Sequence, residues 1–234
     1  MNRSAVLAGG AAAVVIVALL GANLLGMGLN IGDPATTSPS PTEPPTPFLE
    51  ADRDTPLPSG RYLLTAGYPM EITFDPPDGY TACGGAFEEG VCSDTGAALQ
   101  FVIVDNVVAD PCDRSDTLLD PPIGPSVDDL VTALAGLPEF EASTPVDITR
   151  DGFSGKQFEL TALVTPSCEL DDNGLRLWST GRRVNGVGPG EVNIIQIFDV
   201  NGERLMAAAA YLPTSAPEAR AELEESMDSI HLAP

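Results

Sequence analysis

The sequence contains a single histidine, a single tryptophan and few basic residues. Lys and Arg total 11 against 34 Asp and Glu, which gives a net charge of −23. Nucleic acid and anionic lipid surfaces repel so acidic a chain at long range, which excludes a nucleic-acid partner. The lone His231 lies at the end of the last predicted helix, where the helix dipole favours a cation, and a Ser–His or Cys–His mechanism would have no other base.

Motifs of the common catalytic and cofactor sites are also absent. Gly152–Gly155 is one residue short of the G-x-S-x-G elbow and begins a predicted strand, and Ser154 with Lys156 is only an alternate pair on that strand. The glycines of Gly181–Gly190 suit a loop and match no nucleotide fingerprint. No C-x-x-C spacing indicates zinc. We therefore predict a protein that is not an enzyme and has no cofactor and no metal ligands.

Clustered carboxylates leave two alternatives open. Ca²⁺ takes several oxygen ligands, so one alternative is a calcium-dependent adhesion or sensing module, although the EF-hand spacing is absent. Its acidic clusters are Asp110, Asp113 and Asp116, with Asp171–Asn173 further along the chain. The other alternative is an envelope hydrolase that works with two carboxylates in one cleft. Its adjacent acidic pairs are Glu88/Glu89, Asp128/Asp129 and Asp171/Asp172.

The longest apolar stretch lies at the N-terminus, and residues 5–29 carry no charge. A bilayer-spanning helix needs about 20 apolar residues. Arg3 precedes the stretch and Asp33 is the first charge after it, so the positive-inside rule places residues 1–4 in the cytoplasm and the remainder outside. We predict a single-pass transmembrane helix over residues 5–31. Secretion after signal cleavage near Gly26–Gly28 is the alternative, although the apolar region is long for a signal peptide.

A spacer and a disulfide-stabilised domain are predicted beyond this helix. Residues 32–58 are rich in Pro, Thr and Ser and predict a disordered, extended linker before a domain over residues 59–234. Four cysteines in an oxidising space predict two disulfides, for which three pairings are possible. We favour Cys83–Cys92, which closes a short Gly-rich excursion, and Cys112–Cys168, which closes a long loop.

Strand and helix signals alternate through residues 59–234. Ser126 is typical of a helix N-cap, and Ser215 with Glu218 resembles a capping box before a second helix. Asn201-Gly202 between two apolar runs predicts a hairpin. Strands are predicted at 62–65, 70–74, 98–104, 146–149, 153–164, 175–179, 192–200 and 203–211. The pattern predicts an α+β fold, an antiparallel-dominated sheet with two main helices packed on it.

Several short segments carry a resemblance to known proteins. They are Asp78-Gly79-Tyr80, Asp110-Pro111-Cys112-Asp113, Pro125–Leu130, Asp151–Lys156 and Asp228-Ser229-Ile230. Their order resembles that in uncharacterised, membrane-anchored extracytoplasmic proteins of high-GC Gram-positive bacteria and, more loosely, the PsbP-like fold that LpqN-type surface lipoproteins use. The resemblance implies a non-catalytic binding or scaffolding module with an unknown envelope or protein partner. The chain lacks the lipoproteins' lipid-acceptor cysteine, and no functional residue is carried over.

Overall fold

The strand signals of the sequence assemble into three sheets in the computed structural model. The structure describes residues 44–47, 55–65, 67–83, 86–89, 97–170, 174–181 and 183–234. All of these belong to one unit, Glu43–Pro234. Within this part of the chain, no helix has the length and apolarity needed to cross a bilayer. The predicted transmembrane helix over residues 5–31 and the cytoplasmic residues 1–4 lie outside the described residues.

The helices are α1 (Val127–Ala135) and α2 (Pro217–Asp228). The strands of the first half are β1 (Thr46–Pro47), β2 (Thr55–Pro56), β3 (Tyr62–Leu64), β4 (Glu71–Phe74), β5 (Tyr80–Ala82), β6 (Ala86–Glu89), β7 (Ala97–Val102) and β8 (Asn106–Val107). The strands of the second half are β9 (Phe140–Ala142), β10 (Val146–Arg150), β11 (Phe153–Ala162), β12 (Leu175–Ser179), β13 (Val184–Val187), β14 (Val192–Val200), β15 (Glu203–Tyr211) and β16 (His231–Ala233).

One large antiparallel sheet forms the centre of the fold. Among the described residues it has nine strands in the order β10-β11-β14-β15-β7-β6-β5-β2, with β9 beside the far end of β11. A four-stranded sheet, β1-β3-β4-β16, and a three-stranded sheet, β13-β12-β8, flank it. Strands β1 and β3 pair in parallel, and the pairs of the large sheet are antiparallel. The prediction of a sheet-dominated α+β fold with two helices is confirmed.

Each face of the large sheet is covered by one helix and one small sheet. On one face, Leu99 and Phe198 pack with Leu223 of α2 and with Ile72 and Leu232 of the four-stranded sheet. A second cluster covers the other face, and it contains Leu130 of α1, Leu160, Leu175, Trp178 and Ile195. Successive side chains of a strand point to opposite faces of the sheet. The apolar runs of β14 and β15 therefore cover both faces, as expected for strands at the centre of the sheet.

Two of the predicted turn and cap signals are confirmed, and a second hairpin turn has the same backbone. The Ser126 hydroxyl accepts a hydrogen bond from the Asp129 N–H at the start of α1, and the Asp129 carboxylate accepts one from the Ser126 N–H. Asn201-Gly202, with φ of 57° and 90°, joins β14 to β15. Asp151-Gly152, with φ of 49° and 88°, joins β10 to β11 in the same way. Both pairs have the left-handed backbone that two-residue hairpin turns require.

Three local predictions are wrong. The capping box of the last helix does not form, because α2 has Ala216 as its N-cap and Pro217 at its first turn. The Ser215 hydroxyl instead accepts a hydrogen bond from the Leu212 N–H. His231 does not end a helix, since α2 stops at Asp228 and His231 begins β16. The strand predicted over 153–164 is too long, because β11 ends at Ala162, beside β9 and the turn at Glu191. Val164 lies beyond this end and is 76% exposed.

Two segments that the sequence marks as irregular contain strands. Val184–Val187, within the glycine-rich stretch predicted as a loop, pairs with β12, so that prediction is wrong. In the predicted linker, Thr46 pairs with Tyr62 and Thr55 pairs with Ala82. Leu57 is nearly buried beside this pairing. Short stretches of residues 32–58 therefore belong to the sheets of the described structure.

Cys112 and Cys168 form a disulfide, as predicted, with their Cα atoms 5.9 Å apart. Both residues pack against the core cluster that contains α1 and the three-stranded sheet. The bond closes a loop of 56 residues that includes α1 and β11. The other predicted pairing stays a prediction, because Cys92 lies outside the described residues.

Candidate functional site

A polar cleft of about 150 Å³ opens between α2 and the large sheet. It lies beside α2, which packs over β15 and β7, on the side where β14 and β11 continue the sheet. The residues that line it are Gln157, Ile194, Gln196, Glu224, Met227 and Asp228. Polar side chains therefore predominate in a cleft whose walls are regular secondary structure.

Two glutamine side chains form the floor of the cleft. Gln157 of β11 and Gln196 of β14 are direct partners in the strand register, so both side chains leave the same face of the sheet. The Gln196 Nε2 donates a hydrogen bond of 2.9 Å to the Gln157 Oε1. Gln196 is only 2% exposed, and its Oε1 has no hydrogen-bond partner among the residues that the structure describes. A buried acceptor of this kind costs about 1–3 kcal/mol until a donor reaches it.

The last turns of α2 form the acidic wall. Glu224 and Asp228 are four residues apart and therefore lie one above the other on the helix. The Arg220 guanidinium contacts Glu224 at 2.8 Å and Glu159 at 2.5 Å, at one end of the wall. Its hydrogen bond to Glu224 is the main cause that raises the pKa of Arg220.

Arg150 holds the other end of the wall. Its Nη1 donates hydrogen bonds to the carbonyl oxygens of Asp228 and Ile230, at 2.6 and 3.0 Å. Its Nη2 lies 3.6 Å from the Asp228 carboxylate, which is 83% exposed. The guanidinium also lies over the Phe198 ring, 6.0 Å from the ring centre. These contacts fix the end of α2 against β10, so the cleft is held in shape from both ends.

The carboxylates nominated for calcium are engaged by donors of the protein itself. Asp110 accepts a hydrogen bond from the Cys112 N–H, and Asp116 pairs with Arg176 at 2.8 Å. Asp113 accepts hydrogen bonds from the Ser115 hydroxyl and N–H, which hold the pKa of this carboxyl well below its usual range. In the part of the chain that the structure describes, no three acidic, histidine or cysteine side chains are grouped as metal ligands. Residues 171–173 lie outside that part.

The other residues considered for chemistry are separated from one another. Asp129 caps α1, and Asp128 lies 3.6 Å from the Lys156 Nζ, on the face of the sheet opposite the cleft. Ser154 is exposed on β11. His231 Nδ1 lies 3.2 Å from the Asp151 carboxylate, which also accepts a hydrogen bond from the Leu232 N–H. The side chains of Glu88 and Glu89 lie outside the described residues.

The carboxylate of Glu191 is partly buried at the start of β14, on the other face of the sheet. It accepts hydrogen bonds from the Gly188 N–H at 3.1 Å and from the Asn193 amide at 3.2 Å. Burial nevertheless raises the pKa of Glu191. The Asn193 side chain is fully buried and its Oδ1 has no hydrogen-bond partner. Glu191 holds the turn before β14, so we assign it a structural role.

We expect Glu191→Gln to raise the melting temperature at about pH 7. A carboxyl group whose pKa is raised by folding contributes stability below its unfolded pKa of about 4.3, and this contribution is lost as the pH rises through the folded pKa. Glutamine is neutral at every pH. After rotation of the Asn193 amide, the Asn193 Oδ1 would accept a hydrogen bond from the Nε2 of the glutamine. Thermal unfolding between about pH 4 and pH 8 measures the difference, which should disappear at the acidic end.

Glu222→Gln is the matched control for this prediction. Glu222 is exposed on α2 and lies away from Glu191. The same loss of one negative charge at this position should leave the difference from the wild-type protein small across the pH range. A Glu191→Gln variant that is less stable than the wild type at neutral pH would contradict the assigned cause of the raised pKa.

The cleft residues did not emerge from the sequence patterns. Gln196 interrupts the apolar run from Ile194 to Phe198, and a polar residue inside a buried strand is a signal that could have been found. Its contact with Gln157 depends on the register of two strands 39 residues apart, which no local pattern contains. Glu224 and Asp228 look like ordinary residues of a solvated helix face.

The chain matches no protein-family model and no curated protein. The case for a function therefore depends on the cleft and on the sequence features described above.

Proposed function

We propose that the chain is a non-catalytic binding module, tethered to the outer face of the cell membrane, that receives a polar group of its partner in the cleft between α2 and the sheet. The observation that carries the proposal is the Gln196 side chain, which lines the cleft, is almost fully buried and has an unpartnered Oε1. A ligand that donates a hydrogen bond to this atom removes the cost of leaving it unpaired.

The construction of the cleft supports binding. Its floor belongs to strands in the interior of the sheet, and its wall belongs to a helix fixed at both ends by arginines. A preformed site loses little conformational freedom when a ligand binds, so more of the interaction energy appears as affinity. Polar groups placed in this way fix the orientation of a ligand and confer specificity.

Three observations support the location outside the cytoplasm. The apolar residues 5–31 are long enough for a transmembrane anchor, and the Pro-rich residues that follow suit a spacer. The Cys112–Cys168 disulfide is typical of an oxidising compartment.

The resemblance to the PsbP-like fold, whose members mostly bind rather than catalyse, points to the same class of function. The partner we propose is a protein or another component of the cell envelope.

The calcium-dependent module and the carboxylate hydrolase gain no specific observation. The described carboxylates that suggested calcium already have partners in the protein. Asp113 and Asp110 accept hydrogen bonds from Ser115 and the Cys112 N–H, and Asp116 forms an ion pair with Arg176. Of the acidic pair at the start of α1, Asp129 serves as a helix cap. We therefore keep binding through the cleft as the single proposal.

Crosslinking in cells tests the proposal. The full chain would carry a photoreactive amino acid at Val146, which is 53% exposed and pairs with Gln157 of the cleft floor on the outermost strand. We expect a specific crosslinked product from this position. Val164, 76% exposed and beyond the far end of β11, is the matched control position and should give no such product.

The same experiment in a Gln196→Leu background shows whether the cleft is responsible. We expect the product formed from Val146 to be lost while the protein remains folded and at the membrane. A product that persists unchanged in this background, or that forms equally well from Val164, would contradict binding through the cleft.

A further inference from the structure

We propose that the group bound in the cleft is a primary alkylammonium ion, such as the side chain of a lysine. This inference rests on the proposed function and names the chemistry of the ligand. The cleft is lined by the Gln196 side chain, whose buried Oε1 lacks a hydrogen-bond partner among the described residues, and by Glu224 and Asp228 on the wall. An ammonium group has three N–H donors and no acceptor, which matches three acceptor groups.

The charges around the cleft favour a monocation. Three carboxylates, those of Glu159, Glu224 and Asp228, face two guanidinium groups, those of Arg150 and Arg220. Each carboxylate contacts one of the two guanidinium groups, and the group as a whole keeps a net charge of −1. The chain as a whole carries a net charge of −23, so its long-range field attracts cations and repels anions.

The shape and the apolar lining favour an alkyl stem over a larger or planar ligand. Ile194 and Met227 line the cleft beside the acceptors and offer apolar surface to methylene groups. A volume of about 150 Å³ is below the roughly 300–1,000 Å³ of pockets for drug-sized ligands. A guanidinium is planar and binds best where its acceptors share a plane. Acceptors that approach from floor and wall suit the tetrahedral ammonium instead.

Calorimetric titration of the full chain in detergent micelles tests this assignment. The probe is Nα-acetyl-lysine methylamide, and its neutral analogue is Nα-acetyl-norleucine methylamide. We expect saturable binding of the lysine compound and none of the norleucine compound. Because exposed charges contribute, the affinity for the lysine compound should weaken as the salt concentration rises from about 0.05 to 0.5 M.

Two cleft variants and one control locate the site. Gln196→Leu, which removes an acceptor, and Glu224→Gln, which removes a negative charge beside the charged donor, should each weaken binding about tenfold. Glu222→Gln removes the same charge as Glu224→Gln from the same helix but outside the cleft, and its affinity should be within about twofold of the wild type. Glu224→Gln changes an exposed residue, so it tests the site even if the change at the buried Gln196 affects folding.

The outcomes separate this inference from the proposed function. Binding of putrescine that is tighter than that of the lysine compound would identify a free diamine as the source of the ammonium group. Binding of Nα-acetyl-arginine methylamide or of the norleucine compound instead would overturn the ammonium assignment and leave the cleft as a binding site. If the lysine compound binds but no variant weakens it, the ammonium site is elsewhere and the inference fails.

Discussion

Replacing Cys112 and Cys168 together by alanine is expected to lower the free energy of unfolding by about 4 kcal/mol. The bond closes a loop of 56 residues, and a loop of that length left open in the unfolded chain gains entropy of about this size. Both cysteines also pack against the core around Trp178, so the loss includes some packing. Urea unfolding of the full chain, compared with the wild type, measures the difference.

The second cysteine pair provides the matched comparison. Cys83 and Cys92 are only nine positions apart in the sequence, so their double alanine variant should lose less stability than the variant at Cys112 and Cys168. A reducing agent should bring the wild type toward the stability of the variants. A Cys112/Cys168 variant as stable as the wild type under oxidising conditions would show that the disulfide does not form in the protein.

Trp178→Ala is expected to cost about 3–5 kcal/mol of unfolding free energy. Trp178 is fully buried in β12, where it pairs with Val107 and packs in the cluster beneath α1. Alanine would leave a cavity that the two strands and the helix cannot close. Because this is the sole tryptophan of the chain, unfolding of the variant must be followed by circular dichroism or calorimetry rather than fluorescence.

Trp178→Phe separates packing from polarity. The Trp178 Nε1–H is buried without a hydrogen-bond partner, so phenylalanine removes both an unsatisfied donor and part of the side-chain volume. The phenylalanine variant should therefore be clearly more stable than the alanine variant.

Val164→Ala, at a site 76% exposed, should change stability by no more than about 0.5 kcal/mol. A Trp178→Ala cost as small as this would contradict the packing described for the three-stranded sheet.

Local sequence signals predicted the parts of this fold that depend on neighbouring residues. The Ser126 cap and the Asn201-Gly202 hairpin need only a few consecutive side chains and backbone angles, and both are confirmed. The wrong prediction of a capping box at α2 also came from a local signal. Ser215 and Glu218 have the spacing of a capping box, but Pro217 starts the helix and the Ser215 hydroxyl binds the Leu212 N–H instead.

The flanking sheets and the cleft depend on distant residues. Strands of two to four residues such as β1, β8 and β16 are too short for a recognisable alternation, and they exist because longer strands elsewhere offer open edges. In the same way, the cleft combines Gln157, Gln196 and the end of α2, which the sheet register and the helix packing bring together. Each residue looks ordinary in its own stretch of sequence.

The pairing of the sheets has a consequence for how the protein is made. Ala97 of β7 meets Tyr211 of β15, and Glu71 of β4 meets Ala233 of β16. Synthesis proceeds from the N-terminus at about 5–20 residues per second, so the early strands emerge many seconds before their partners. The large sheet and the four-stranded sheet therefore cannot be completed until β15 and β16 have been synthesised.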